Sequence, residues 1–340
     1  MNMPRSTLSK DNFHELSELF QQKTQLFRAT LAQAIIGQDK LINEVLIGLL
    51  SGGHLLLEGL PGLGKTHLAK ALASCMSAPL GRIQCTPDLM PADITGSEIL
   101  INNQERQQQQ LEFTPGPIFA SIVLVDEINR ATPKTQAALL EAMQEHQVTY
   151  GGTSHSLPNP FWVLATQNPI ELEGTFPLPE AQLDRFMFKL SVSIPNADTL
   201  VKMLDISLDQ EPSDYIQTII TLDEMKQLMA LSKEVLVADS IKQHAVQLVL
   251  ATHHDHDQAN PLAQRYFRYG ASPRGLQAIV RAARVCALLD NRGHVALDDI
   301  AYVAIPALRH RIQLNFDSEL EGVAVDAVLS DIIAQWKTQV

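Results

Sequence analysis

Apolar residues recur along the chain in two rhythms, and the change of rhythm divides it. From 13 to 50 they fall at helical spacing, with Leu16, Leu19, Phe20, Phe27 and Leu31 in one stretch and Leu41, Val45, Leu46 and Leu49 in a second. The residues IIGQ at 35–38 interrupt them. Five apolar runs, at 55–57, 80–85, 122–125, 162–165 and 186–194, have the length and continuity of buried strands. Helical patterns lie between them, such as 133–146, where Thr132 is placed to cap the first turn and Pro133 to begin it. Strands alternating with helices predict an α/β fold on a mainly parallel sheet, with function at the strands' carboxyl ends. After Pro195 only helical patterns appear, at 196–207, 221–236, 239–252, 273–289, 297–304 and 319–336. The last carries Val325, Val328, Leu329, Ile332, Ile333 and Trp336 along one stripe. The expected organisation is an N-terminal helical segment over 1–32, an α/β domain over 33–195 and an all-helical domain over 196–340.

The link between the first strand and the following helix is unusual. Residues 59–66, GLPGLGKT, hold three glycines, a proline, a lysine and a threonine, where an ordinary strand-to-helix turn needs two to six residues and one glycine. Gly59, Gly64, Lys65 and Thr66 match the spacing of a phosphate-cradling loop. Glycine lets successive backbone N–H groups turn toward an anion, and the helix that follows adds the positive end of its dipole. Lys65 is then a point charge for the β and γ phosphates, and the Thr66 hydroxyl is a ligand for Mg²⁺. Pro61, Gly62, Leu63 and His67 complete the expected cofactor-binding set along this loop.

Composition narrows the reading. With 38 acidic and 26 basic residues the net charge is −12, which weakens any role as a general DNA or RNA binder, because a phosphate backbone is held by clustered Lys and Arg. No uncharged apolar run reaches the roughly 18 residues of a membrane span, and the start, MNMPRSTLSKDNFHEL, lacks the apolar core of a secretory signal. The expected location is the cytoplasm. Cys75, Cys85 and Cys286 are odd in number and widely spaced, which fits buried reduced thiols better than disulfides or a metal site. The polar run NNQERQQQQ at 102–110 reads as a solvated hairpin tip. The histidines and aspartates of THHDHDQ at 252–258 read as a solvated loop, and no metal is assigned there.

Further candidates follow the later strands. Asp126 and Glu127 stand directly after the run IVLV. Asp126 suits the Mg²⁺ that accompanies a bound nucleotide, reached through a water, and Glu127 suits the base that takes a proton from the attacking water. Seen alone, the pair could equally begin a loop. Asn168, ending VLATQN, either caps a turn or orients that water. Arg185 stands at a helix-to-strand junction. In GASPRG, Ser272 and Pro273 read as the N-cap and first residue of a helix. Arg274 then falls in its first turn, where a cation opposes the dipole at about 0.3 to 1 kcal/mol and an anion nearby would offset the cost.

In this order, the loop, DEINR, TQNP, LPEAQLDRF and GASPR resemble the AAA+ ATPases, and their wording resembles the MoxR family. TPDLMPADITGSEIL resembles the insert that interrupts the second helix in that clade, VTYGGTSHSLPNPF resembles its second hairpin, and the likeness runs from about 33 to 336. The resemblance implies an α/β P-loop core with a helical lid that hydrolyses ATP with Mg²⁺. It assigns Lys65 and Thr66 to Walker A, Asp126 and Glu127 to Walker B, Asn168 to sensor 1 and Arg274 to sensor 2. Arg185 becomes the arginine finger offered to a neighbouring subunit's ATP, and Ile36 and Gly37 lie near adenine. It also implies a homo-oligomeric, hexameric ring acting as a chaperone or maturation factor on a protein client, often beside a von Willebrand factor A domain protein. A ring motor on DNA, from the related helix-insert clade, is the alternative. It predicts basic or aromatic hairpins, whereas these inserts are neutral and polar. A GTP switch would need an Asn-Lys-x-Asp signature that the sequence lacks.

Overall fold

The structure, a computed structural model, describes residues 10–103, 108–169, 174–204 and 212–339. Over these residues the chain forms two compact units. One takes Leu31–Val45 and Gly52–Thr218, and the other takes the N-terminal residues through Thr30, Leu46–Ser51 and the chain from Ile219 onward. The grouping differs from the three expected segments. Most of the first helix, Lys10–Ala34, packs with the C-terminal helices, and the helix Ala197–Leu204 packs with the α/β unit.

The α/β unit is built on five parallel strands, which take their numbers with the hairpin strands in chain order: β1 (Leu55–Glu58), β2 (Leu80–Gln84), β3 (Gly96–Asn103), β4 (Gln108–Pro115), β5 (Ile122–Asp126), β6 (Gln147–Tyr150), β7 (Thr153–Ser156), β8 (Trp162–Gln167) and β9 (Phe188–Ser191). The central sheet runs β2-β5-β8-β1-β9, so the run at 55–57 lies between partners on both sides. Leu55 to Leu57, Ile122 to Val125 and Trp162 to Ala165 are fully buried, because helices cover both faces of a parallel sheet. All five expected strands are present, each within a few residues of the apolar run that announced it. The helix Pro133–Glu145 starts as expected: Pro133 is its first residue and the Thr132 hydroxyl accepts from the Thr135 N–H.

Two antiparallel hairpins interrupt this core. β3 pairs with β4, and β6 with β7; of the polar tip expected over 102–110, residues 102–103 and 108–110 belong to the strands and 104–107 lie outside the described residues. The hairpins meet through the Phe113 ring, which stacks on His155 with centroids 4.0 Å apart. The Tyr150 ring lies 5.9 Å from it.

The second unit is helical, but the all-helical expectation needs two corrections. Phe267–Tyr269 (β10) and Gln313–Leu314 (β11) form a small antiparallel ribbon. Strands of two and three residues are too short to leave a period-2 signal, and only Phe267 of the first is buried. The helix expected over 319–336 is two helices, Phe316–Leu320 and Val325–Gln339, with Gly322 between them at φ +68°. The apolar stripe survives because all its members follow the break, and Trp336 anchors it by donating to the His244 carbonyl at 3.0 Å. Arg292 also reaches both carboxylate oxygens of the buried Asp299, at 2.6 and 2.8 Å. The Asp299 side chain accepts from the Ala296 N–H, so one carboxylate caps a helix and neutralises a cation.

Candidate active site

The parallel registers bring the informative residues together. Glu58 pairs with Gln167 across β1 and β8, and Gln84 with Asp126 across β2 and β5, so the carboxyl ends of four strands finish side by side. A cleft of about 600 Å³ opens there. Ile36, Pro61, Gly62, Leu63, Gly64, Lys65, Thr66, His67, Asp126, Glu127 and Asn168 all line it.

The loop has the conformation an anion cradle requires. Gly62 and Gly64 adopt φ of +81° and +78°, and a Cβ on either would project into open space, where side chains would otherwise fill the cradle. Gly64 is also the N-cap of the helix Lys65–Met76, and no side chain caps that start. The Lys65 ammonium donates to the Gly59 carbonyl at 2.5 Å. Gly59 does not line the cleft; a Cβ there would sit 2.5 Å from the Val192 carbonyl, so its smallness serves the packing of the loop's base against the chain after β9. Gly37 forms the turn at the helix interruption, against Thr199.

Asp126, the last residue of β5, is buried and accepts from Arg82 through Nε at 3.1 Å and through a terminal nitrogen at 3.0 Å. Glu127 turns into the left-handed region (φ 57°, ψ 51°), a conformation that costs a non-glycine residue about 1 kcal/mol and aims its side chain away from the strand's course. The Thr166 hydroxyl accepts from the Glu127 N–H at 2.9 Å and donates toward Asp126 at 3.5 Å, tying both acids to the end of β8. Glu127 Oε2 accepts from Gln84 at 3.3 Å and pairs with Arg130 at 3.2 Å. Beside them, Cys85 is buried. Burial and the charges of Asp126 and Glu127 push its thiol up to about 12, so it stays protonated and is no nucleophile.

Sequence reasoning missed Arg82, Gln84 and Tyr215. The first two are legible in part, since LGRIQ alternates buried Gly81 and Ile83 with exposed Arg82 and Gln84. Only the pairing of β2 with β5 shows which acids they reach. Tyr215, on the short helix Pro212–Tyr215, lines the cleft and meets His67. Besides Gly37 and Gly59, two expected site arginines do not line the cleft. Arg185 is outside the cleft, half-buried, and donates to the Leu140 carbonyl, while its Nε is buried without a partner. Arg274 belongs to the helical unit, exposed in the first turn of the helix Pro273–Leu289, with Ser272 as N-cap.

The donor set fits a nucleotide with its metal. No group of three His, Cys, Asp or Glu side chains that could hold a metal ion occurs among the described residues. One hydroxyl (Thr66) and one carboxylate (Asp126) suit Mg²⁺, which takes few protein ligands and completes its shell with phosphate oxygens and water. No helix among the described residues is long and apolar enough to cross a membrane.

Comparison with known proteins agrees with this geometry. Residues 54–188 match the profile of the "ATPase family associated with various cellular activities (AAA)", and residues 259–332 match that of the AAA lid domain. The chain is 38% identical to the chaperone MoxR1 of Mycobacterium tuberculosis over 299 residues, 88% of this chain and 78% of that protein. It is 41% identical to the uncharacterized protein YeaC of Bacillus subtilis over 308 residues, covering 91% and 92% of the two chains. A crystal structure from Cytophaga hutchinsonii, described as that of a candidate ATPase, superposes with a TM-score of 0.86 at 38% identity, covering 94% of this chain and 96% of the other.

Proposed function

The chain belongs to the MoxR family of AAA+ ATPases, and from that premise we propose that it hydrolyses ATP with Mg²⁺ in a ring of like subunits and spends the turnover on remodelling a protein client. One observation carries the reading: a glycine cradle, a buried Asp126 and a left-handed Glu127 converge on one cleft. ATP, when bound with its metal, supplies the anhydride bond and the electrophilic γ-phosphate. Lys65 and the loop N–H groups neutralise phosphate charge, and Thr66 and Asp126 hold the Mg²⁺. Arg82 orients the Asp126 carboxylate through its paired contacts. Glu127 accepts the proton of the attacking water, with Gln84 and Arg130 fixing its Oε2 and Asn168 orienting the water.

Arg185 is our candidate for the finger given in trans, and Arg274 for a second cation that answers to the γ-phosphate. A hexameric ring, a von Willebrand factor A domain partner and a cytoplasmic location extend the same reading, in which the nucleotide-binding domain, expected over 33–195, runs on to Thr218 and the lid, expected over 196–340, begins at Ile219. The joined hairpins β3–β4 and β6–β7 are the surfaces we assign to the client. The described part of these inserts carries no lysine or arginine, which favours a protein over DNA.

The test is Glu127→Gln. Hydrolysis is expected to fall by about 10² to 10⁴, with ATP still bound and a protein client captured in ATP but not in ADP. Wild-type turnover would refute the base assignment, and equal capture in both nucleotides would refute the coupling.

A further inference from the structure

β8 lies between β5 and β1 at the middle of the sheet, and its last residues serve both neighbours. On the β1 side the ladder runs on, with Thr166 opposite Leu57 and Gln167 opposite Glu58, and the Gln167 carbonyl then accepts from the Gly59 N–H at 3.3 Å where the glycine-rich loop begins. On the β5 side the ladder stops at Val125 opposite Ala165, and Glu127 turns into the left-handed region. Its N–H donates to the Thr166 hydroxyl at 2.9 Å. Thr166 is 2% exposed, and its buried hydroxyl accepts that bond in place of water. The one proton of the hydroxyl points toward Asp126 Oδ1 at 3.5 Å, a weak contact beside the bond from Glu127.

One short piece of β8 therefore anchors the phosphate loop by its backbone on one edge and the Glu127 turn by a side chain on the other. We propose that Thr166 is a positioning residue for hydrolysis, whose hydroxyl holds Glu127 in its left-handed turn and so fixes the carboxylate relative to the cradle. The inference rests on the ATP reading above, in which Glu127 is the base, and adds the residue that sets where that base stands. A left-handed glutamate that loses this bond relaxes toward right-handed or extended backbone, because its Cβ crowds the carbonyl in the left-handed form. The rotation swings the carboxylate off its line, and a misplacement of about 1 Å can cost about a hundredfold in rate.

The test uses the full chain. Thr166→Val keeps the shape of the side chain and removes the hydroxyl. It is expected to lower kcat about ten- to a hundredfold while leaving the affinity for ADP with Mg²⁺ within about threefold. Thr166→Ser, which keeps the hydroxyl, should restore most of the turnover. In the Glu127→Gln background Thr166→Val should lower the residual rate no further, because the group it positions is already absent. Hydrogen exchange at the Glu127 amide of the nucleotide-free chain reads the same bond without turnover. It should quicken about tenfold in Thr166→Val and return toward the wild-type rate in Thr166→Ser. Thr166→Ala replaces the valine variant if Trp162 emission shows the latter unfolded. Equal losses of kcat and of ADP affinity, a serine variant no better than valine, or unchanged exchange at Glu127 would overturn the proposal. A wild type that does not bind ADP with Mg²⁺ would overturn the ATP reading, and this inference with it.

Discussion

The helix Lys65–Met76 and the helix Pro273–Leu289 begin alike, each without a side-chain cap and each with a cation in its first turn, Lys65 in one and Arg274 in the other. Other starts are capped by side chains: the hydroxyl of Thr221 and the amide oxygen of Asn315 accept from the first turns of their helices. Leaving a start bare and adding a cation costs stability on two counts, which makes sense where an anion is to be received. What precedes the two starts differs. Lys65 follows two left-handed glycines, Gly62 and Gly64, after the strand that buries Leu55 to Leu57, with Asp126 in the same unit at the end of β5, on the far side of β8. Ser272, by contrast, is in ordinary extended backbone, φ −68° and ψ 166°, and no cradle precedes it. The first start therefore has all the parts of the proposed phosphate site within one unit. The second is a single cation on a stiff helix, and its role depends on what it is brought to.

The comparison breaks most sharply by substitution of the two cations. Lys65→Ala is expected to weaken ATP binding about a hundredfold, since a charge-assisted contact contributes about 1.5–3 kcal/mol and lies within the cradle. Arg274→Ala should leave affinity within about threefold and lower turnover instead. Titration with ATP beside steady-state rates separates them, and equal losses of affinity would erase the distinction.

Acidification should separate the units next. His54, just before β1, is buried; its Nδ1 accepts from the Val163 N–H at 3.0 Å and its Nε2 donates to the Met143 carbonyl at 3.2 Å. Both nitrogens are thus committed in the neutral tautomer, and burial lowers the imidazole from 6.5 to about 4. The unfolded chain binds this proton first. The contribution of His54 is therefore whole above pH 6.5 and falls away as the pH drops toward 4, by about 2 kcal/mol at pH 5. Trp162 reports the α/β unit and Trp336 the helical one, so urea unfolding of Trp336→Phe and Trp162→Phe proteins at pH 7.5 and 5 reads each separately. The Trp162 midpoint should fall more than the Trp336 midpoint, and parallel shifts would count against a special role for His54.

The smallest effect concerns the caps themselves. Thr221→Ala removes a hydroxyl that accepts from the Glu224 N–H and should cost about 1 kcal/mol. Ser272→Ala, which removes no side-chain cap of the first turn, should cost less. Unfolding followed by Trp336 emission measures both, and a loss at Ser272 matching that at Thr221 would mean that its start is capped after all.

By itself the sequence determined the features that lie within a few residues of one another. The eight residues of the glycine-rich loop at 59–66, the acids directly after the run at 122–125, the alternation of apolar strands with helices and the N-cap positions at Thr132 and Ser272 all depend on local backbone geometry, and all were legible. Tertiary structure alone decided what crosses between strands. That Arg82 clasps Asp126 and Gln84 meets Glu127 follows from β2 lying beside β5, and Tyr215 reaches His67 across 148 positions. The same holds for Arg185, whose place in the sequence carries no sign that its guanidinium donates to the Leu140 carbonyl. A local pattern records which conformation a segment prefers. Which side chains then become neighbours is settled when apolar strands and helices choose partners to bury, and that choice belongs to the whole chain.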